Sequence, residues 1–175
     1  MITELLEFIT ISLDEKGIPY MLSGGVALNA YSIPRLTRDI DVIIEMKDVN
    51  LDTFISIFDE SFYLNDQTIR TETGRKGMFN IIDKKSGYKI DFIVRKDSEY
   101  RILEFKRRVR TNVFGIDAWI VTLEDLIISK IEWIQQLQSE KQIEDIKTLL
   151  LNPLLDKNYL VKWCDQLHLN TFDLL

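Results

Sequence analysis

What this chain has little of already narrows its chemistry. Its 175 residues include one cysteine, Cys164, and one histidine, His168. A single thiol closes no disulfide within the chain and builds no cysteine-based zinc site, and a single imidazole leaves no cluster for a transition metal. Any bound metal is therefore expected to be a hard cation held by oxygen. There are no repeats, no low-complexity tracts and no Pro/Gly/Ser-rich linker. No apolar run approaches the roughly 20 residues of a membrane span. The opening Met1-Ile2-Thr3-Glu4 lacks the basic segment of a signal peptide, so the protein is expected to be cytoplasmic, with no membrane partner. Hydrophobic residues, by contrast, make up 46% of the chain, ample for a packed core.

Positive charge is also in deficit overall. A net charge of -6 argues against a broad electrostatic grip on nucleic acid. The deficit is uneven: residues 1–60 carry 11 acidic and 4 basic side chains, residues 61–121 carry 8 and 13, and residues 122–175 carry 9 and 5. The middle third is thus the part suited to a polyanion. Its densest stretch runs from Arg101 to Arg110 and includes Arg107 and Arg108, with Arg95 and Lys96 just before it. The competing reading is a solvated helix face and strand edge.

Hydrophobic spacing predicts a mixed order of elements. Ile2 to Lys16 reads as an amphipathic helix stopped by Gly17, and Tyr20-Met21-Leu22 as a short buried strand. The glycines that follow turn the chain into a helix ended by Pro34. Thr37 to Glu45 alternates as a strand, and 51–60 carries apolar residues at helical spacing. Strands are expected at 62–65, 78–83 and 88–94, then a helix near 98–106 and a hairpin around Phe114-Gly115. Arg70, Arg75 and Lys76, with Gly74 and Gly77, read as a basic loop or hairpin tip. From Thr122 onward only helices are expected, at 122–137, 140–151 and 156–167. The fold class is therefore α+β, a small mixed sheet flanked by helices and followed by a C-terminal helical bundle, with domains at 1–121 and 122–175.

The chemistry concentrates in two places. Ser23-Gly24-Gly25 opens a helix, where missing side chains allow close backbone approach and the helix N-terminus favours an anion. Asp39 and Asp41 then follow at i and i+2 on a strand, so their carboxylates share one face and repel unless a cation lies between them. Asp91 sits between Ile90 and Phe92 in an otherwise apolar strand, where an unpaired charge costs several kcal/mol. Together the three carboxylates suit Mg²⁺ or Mn²⁺ carrying a triphosphate. Trp119, Trp133 and Trp163 read mainly as core, Cys164 as a small buried hydrophobe and His168 as a helix-end residue.

The combination of Gly24-Gly25, Arg35-x-Thr37-x-Asp39-x-Asp41 and a later hydrophobic-Asp91-hydrophobic resembles the DNA polymerase β-like nucleotidyltransferase superfamily. A narrower resemblance lies in Leu123 to Lys130 followed by Gln142 to Ile146, which is similar to the AbiEii-type nucleotidyltransferase toxins of abortive-infection and toxin–antitoxin systems, with Lys130 and Asp145 at the matching positions. The resemblance implies a two-metal enzyme that moves an NMP from an NTP to a hydroxyl. Asp39, Asp41 and Asp91 would be its metal ligands and catalytic residues, with Asp91 as general base. Ser23, Gly24, Gly25, Arg38 and Lys130 would hold the nucleotide, with Arg35 as an alternative to Arg38. The acceptor would be RNA, such as tRNA, or else a protein or a small molecule, and an antitoxin partner is implied. An aminoglycoside-type antibiotic nucleotidyltransferase and a non-catalytic nucleotide-binding partner protein are the alternatives.

Overall fold

A computed structural model describes every residue except Met1, Ile33, Leu36 and Gln138. Helix α1 (Ile2–Glu15) buries Leu5, Leu6, Ile9 and Leu13 along one stripe. Strand β1 (Tyr20–Leu22) leads through Ser23 into α2 (Gly24–Tyr31) and on to β2 (Asp39–Ile44). A 3₁₀ turn and α3 (Leu51–Ile55) precede β3 (Phe62–Tyr63), α4 (Asp66–Arg75), β4 (Met78–Asp83) and β5 (Lys89–Val94). Helix α5 (Glu99–Arg107), the hairpin β6 (Val109–Val113) and β7 (Ile116–Ile120), and the helices α6 (Leu123–Ile134), α7 (Glu140–Leu150) and α8 (Lys157–Gln166) complete the chain. No helix among the described residues is long and apolar enough to cross a membrane.

The seven strands form one mixed sheet in the order β3-β4-β5-β2-β1-β7-β6. Its centre pairs β1 antiparallel with β2 and β2 parallel with β5. Alternation along the strands separates two cores. Leu22, Ile40, Val42, Ile90 and Phe92 join α1 and α3 on one face, where Phe54 packs edge-on against Phe79 and Phe92. Met21 points the other way, into a second core built with Leu28, Tyr100, Phe105 and the apolar residues of α6, α7 and α8. Asp39 and Asp41 alternate with the residues of the first core and so fall on the face of the second.

Three local expectations are corrected. The basic stretch from Arg70 to Arg75 is not a loop but lies within α4, with the Asn65 side chain accepting from the Thr68 amide at its start and Lys76 in the left-handed region (φ 53°) at its end. Ile69 is its one buried apolar side chain, so the helix carries too little hydrophobic periodicity to be read from sequence. The helix expected at 51–60 ends at Ile55, and the strand expected at 37–45 is shorter at both ends.

Candidate active site

The site grows from the β1-to-α2 turn and the β2–β5 pair. Gly24 has φ +54°, and a Cβ there would overlap the Asp41 carboxylate; one at Gly25 would come within 2.6 Å of Thr37 Oγ1. The missing side chains thus admit Asp41 and Thr37 against the start of α2. The Gly25 amide lies beside the Asp41 carboxylate and favours its charged form, and the Ser23 amide donates to the Asp41 carbonyl at 2.9 Å. Ser23 caps α2 without a side-chain hydrogen bond to it, leaving its hydroxyl beside the helix N-terminus. Burial, then the charges of Asp91 and Asp39, push the Asp41 carboxyl above its usual range, although Lys130 and the Gly25 amide oppose the shift.

Parallel pairing of β2 with β5 sets Asp41 directly opposite Asp91 and Asp39 opposite Lys89. Strand β4 adds Asn80 opposite Asp91, so a polar row crosses three strands. Asp91 is only 8% exposed, and its Oδ1 is buried without a hydrogen-bond partner among the described residues. Its other oxygen accepts from Lys89 Nζ at 2.8 Å, and the same ammonium stands 3.8 Å from Asp39. These pairings raise the Lys89 pKa above its ordinary value, led by the hydrogen bond to Asp91.

The residues present fit a divalent cation. An all-oxygen donor set, a buried carboxylate oxygen with no partner among the described residues and a carboxyl pushed up by burial and then by neighbouring acids all favour added positive charge. Among the described residues no three acidic, His or Cys side chains close into a ready-made metal cage. Part of that place is taken by the Lys89 ammonium.

A second polar group borders this one. Lys130 on α6, 6% exposed, donates to Asp145 Oδ2 at 2.9 Å and to Gln142 Oε1 at 2.8 Å. Arg35 grips the same carboxylate through Nε at 3.0 Å and a second nitrogen at 2.7 Å. Asn29 fixes the Arg35 backbone by accepting from its amide and donating to its carbonyl. Burial raises the Asp145 pKa, but hydrogen bonds from Arg35 and Lys130 more than offset it and hold the carboxyl below its usual range. Burial, with the Arg35 charge, lowers the Lys130 pKa against the opposing pull of Asp145 and Asp41. A cleft of about 230 Å³ between α2 and α7 is lined by Ser32, Arg35, Lys141 and Asp145.

The sequence-predicted residues therefore gather around one corner of the sheet, with Arg38 exposed on the approach to β2. Lys89 and Asn80 were missed. Lys89 stands two positions before Asp91, and that strand spacing was the available sign of a shared face. The basic stretch looks different in three dimensions. Arg107 pairs with Asp125 and Glu124 and lies 3.8 Å from the Tyr159 ring centre, Arg108 stacks on Phe105, and Arg110 pairs with Asp117 and Asp14. Of the tryptophans, Trp163 is buried but Trp133 is exposed; buried Cys164 has its thiol pushed up to about 11, first by burial.

The sequence profile of a family described as "Nucleotidyltransferase of unknown function (DUF6036)" matches residues 1–172. No curated protein sequence matches. Among solved structures, the antibiotic-resistance factor ANT(2'')-Ia superposes with a TM-score of 0.57 at 13% identity, covering 94% of each chain. The lincosamide antibiotic adenylyltransferase LnuA, bound to lincomycin, gives 0.58 at 12% identity over 83% of this chain and 94% of that one. An antigenic nucleotidyltransferase-like protein from Paracoccidioides brasiliensis gives 0.53 at 18% identity, covering 94% and 85%. At these identities the likeness is one of fold.

Proposed function

The chain belongs to this nucleotidyltransferase family, and we propose that it moves an NMP from an NTP to an acceptor hydroxyl with the carboxylates of Asp39, Asp41 and Asp91. The observation that carries the proposal is the registered Asp41–Asp91 pair, with its unpartnered buried oxygen, beside the N-terminus of α2. Mg²⁺ or Mn²⁺ on those carboxylates would neutralise triphosphate charge and polarise the α-phosphorus. Asp91 accepts the proton of the attacking hydroxyl, as the new O–P bond forms in line with the departing pyrophosphate. The Ser23 hydroxyl and the start of α2 would face the β- and γ-phosphates, and Gly24, by admitting the Asp41 carboxylate, keeps that acid beside their approach. Lys130 and Arg35, anchored by Asp145, supply fixed positive charge, and Arg38 stands at the edge to meet the triphosphate.

The acceptor best supported is a small hydroxylated molecule. The arginines expected to grip RNA are engaged with acids and aromatic rings of the chain itself, which leaves less charge for a polyanion. The fold also serves LnuA, a lincosamide adenylyltransferase, so such acceptors lie within its reach. Incubation with each α-³²P-labelled NTP and a panel of hydroxylated small molecules, total RNA and lysate protein tests the reading. Label on a small molecule supports it; label on RNA alone moves the acceptor assignment back to the polyanion, and no label anywhere with Mg²⁺ and Mn²⁺ counts against transfer. The Lys130–Asp145 contact favours a second reading, an AbiEii-type toxin with an antitoxin partner. Growth arrest on induced expression, relieved by Asp41→Ala, is its expected sign.

A further inference from the structure

The carboxylate site already holds a cation of its own. Lys89 opens β5, and its side chain, 41% exposed, reaches along the strand to Asp91 at 2.8 Å and across to Asp39 at 3.8 Å. These two acids come from neighbouring strands, so the ammonium bridges the pair between which a divalent ion would sit. An ammonium makes longer contacts than Mg²⁺, whose oxygen ligands lie at about 2.0–2.1 Å. The two cations cannot share the space. Asp91 Oδ1 shows that Lys89 satisfies the site only in part, because that oxygen is buried and unpartnered while Oδ2 receives the ammonium.

We propose that Lys89 is an internal counter-ion of this site, a positioning residue that holds Asp39 and Asp91 without metal and must swing outward when a divalent cation binds. The inference rests on the metal-site reading above. Its consequence is a raised threshold for metal: the free site takes up a divalent ion weakly, and binding improves when the ion arrives with a nucleotide whose phosphates give the displaced ammonium a new partner. The half-exposed, flexible stem allows the swing without moving the strand.

Direct titration of Mn²⁺ into the nucleotide-free protein, read by the EPR signal of free Mn²⁺, tests this with Lys89→Met and Lys89→Arg. Lys89→Met keeps the stem and removes the charge. It should bind Mn²⁺ about fivefold more tightly than the wild type, the upper range for one half-exposed ion pair, while melting at a lower temperature in metal-free buffer. Lys89→Arg should restore wild-type behaviour to within about twofold. A merely structural lysine would lower the melting temperature without changing Mn²⁺ affinity, and equal or weaker affinity in Lys89→Met overturns the proposal. If neither protein binds Mn²⁺, with or without NTP, the metal site falls and the proposal with it, a result distinct from equal binding by both. Should Lys89→Met fail to fold, the ε-methylene signal of Lys89 in ¹³C-lysine-labelled wild type answers the same question. It should shift on adding Mg²⁺, and a stationary signal overturns the displacement.

Discussion

Two groups of buried acids divide this molecule, and they differ in how completely they are satisfied. In the first turn of α6, Asp125 is 0% exposed and accepts from Tyr100 and Tyr159 hydroxyls, Thr122 Oγ1 and Arg107 Nε. Glu104 close by accepts from Arg101 at 2.7 Å and Ser129 at 2.9 Å. On the sheet, Asp91 keeps a buried oxygen with no partner among the described residues, and Asp41 sits among like charges. Burial alone therefore does not mark an acid as functional. The first group ties α5, α6 and α8 together, and the second is left short of positive charge and hydrogen-bond donors.

Mutations that treat the two groups alike should give opposite results. Asp41→Ala is expected to reduce nucleotidyl transfer on the order of 10³-fold, while leaving the metal-free melting temperature equal to or above that of the wild type, because the burial and like-charge repulsion at Asp41 disappear. A collapse of the fold in that variant would erase the contrast. Asp125→Ala should instead cost about 3–5 kcal/mol in urea unfolding, by leaving the Tyr100 and Tyr159 hydroxyls and the half-buried Arg107 without their shared acceptor. Activity of whatever Asp125→Ala protein remains folded should be close to normal.

Asp145 belongs chemically to the satisfied group although it borders the site, and pH reveals this. Its native pKa lies below the unfolded value, so its contribution is complete above the ordinary carboxylate range and is lost as pH falls through the depressed native pKa. Asp145→Asn should be less stable than the wild type by about 2 kcal/mol at pH 6. The two denaturation curves should draw together as pH drops below about 4; a gap of constant size from pH 6 downward would contradict the assignment. The smallest effect is expected at Arg110, whose partners Asp117 and Asp14 are accessible to solvent. Arg110→Gln should move the melting temperature by no more than about 3 °C.

Much of the sheet side of this contrast was legible in the sequence. Asp39, Asp41 and Asp91 disclose themselves because carboxylates at strand spacing among Ile, Val and Phe break a hydrophobic pattern. The Gly24-Gly25 turn was also visible, yet its physical reason was only half so. The missing Cβ atoms make room for Asp41 and Thr37, contacts that no local pattern announces. Lys89 and Asn80 stayed hidden because their meaning depends on which strands become neighbours. The basic run was open to two readings for the same reason: a row of arginines looks free until Asp125 and Glu124 on α6 and Asp14 on α1 are brought to it by the fold. The helix α4 was lost to its polarity.

The register of β2 against β5 has a consequence for how this protein is made. Asp41 and Asp91 meet across a parallel pair, with α3, β3, α4 and β4 between them in the chain. Such pairing forms slowly, because the intervening loop must close before the contact rewards it. A slip of one residue would place Ile90 or Phe92 opposite Asp41 and turn Asp91 into the first core, so no partly registered site exists. A chain still emerging from the ribosome thus has no site until Val94 has been released and zippered beside Ile44, and Lys130 follows later still. The carboxylate cluster is withheld from the growing chain by topology alone.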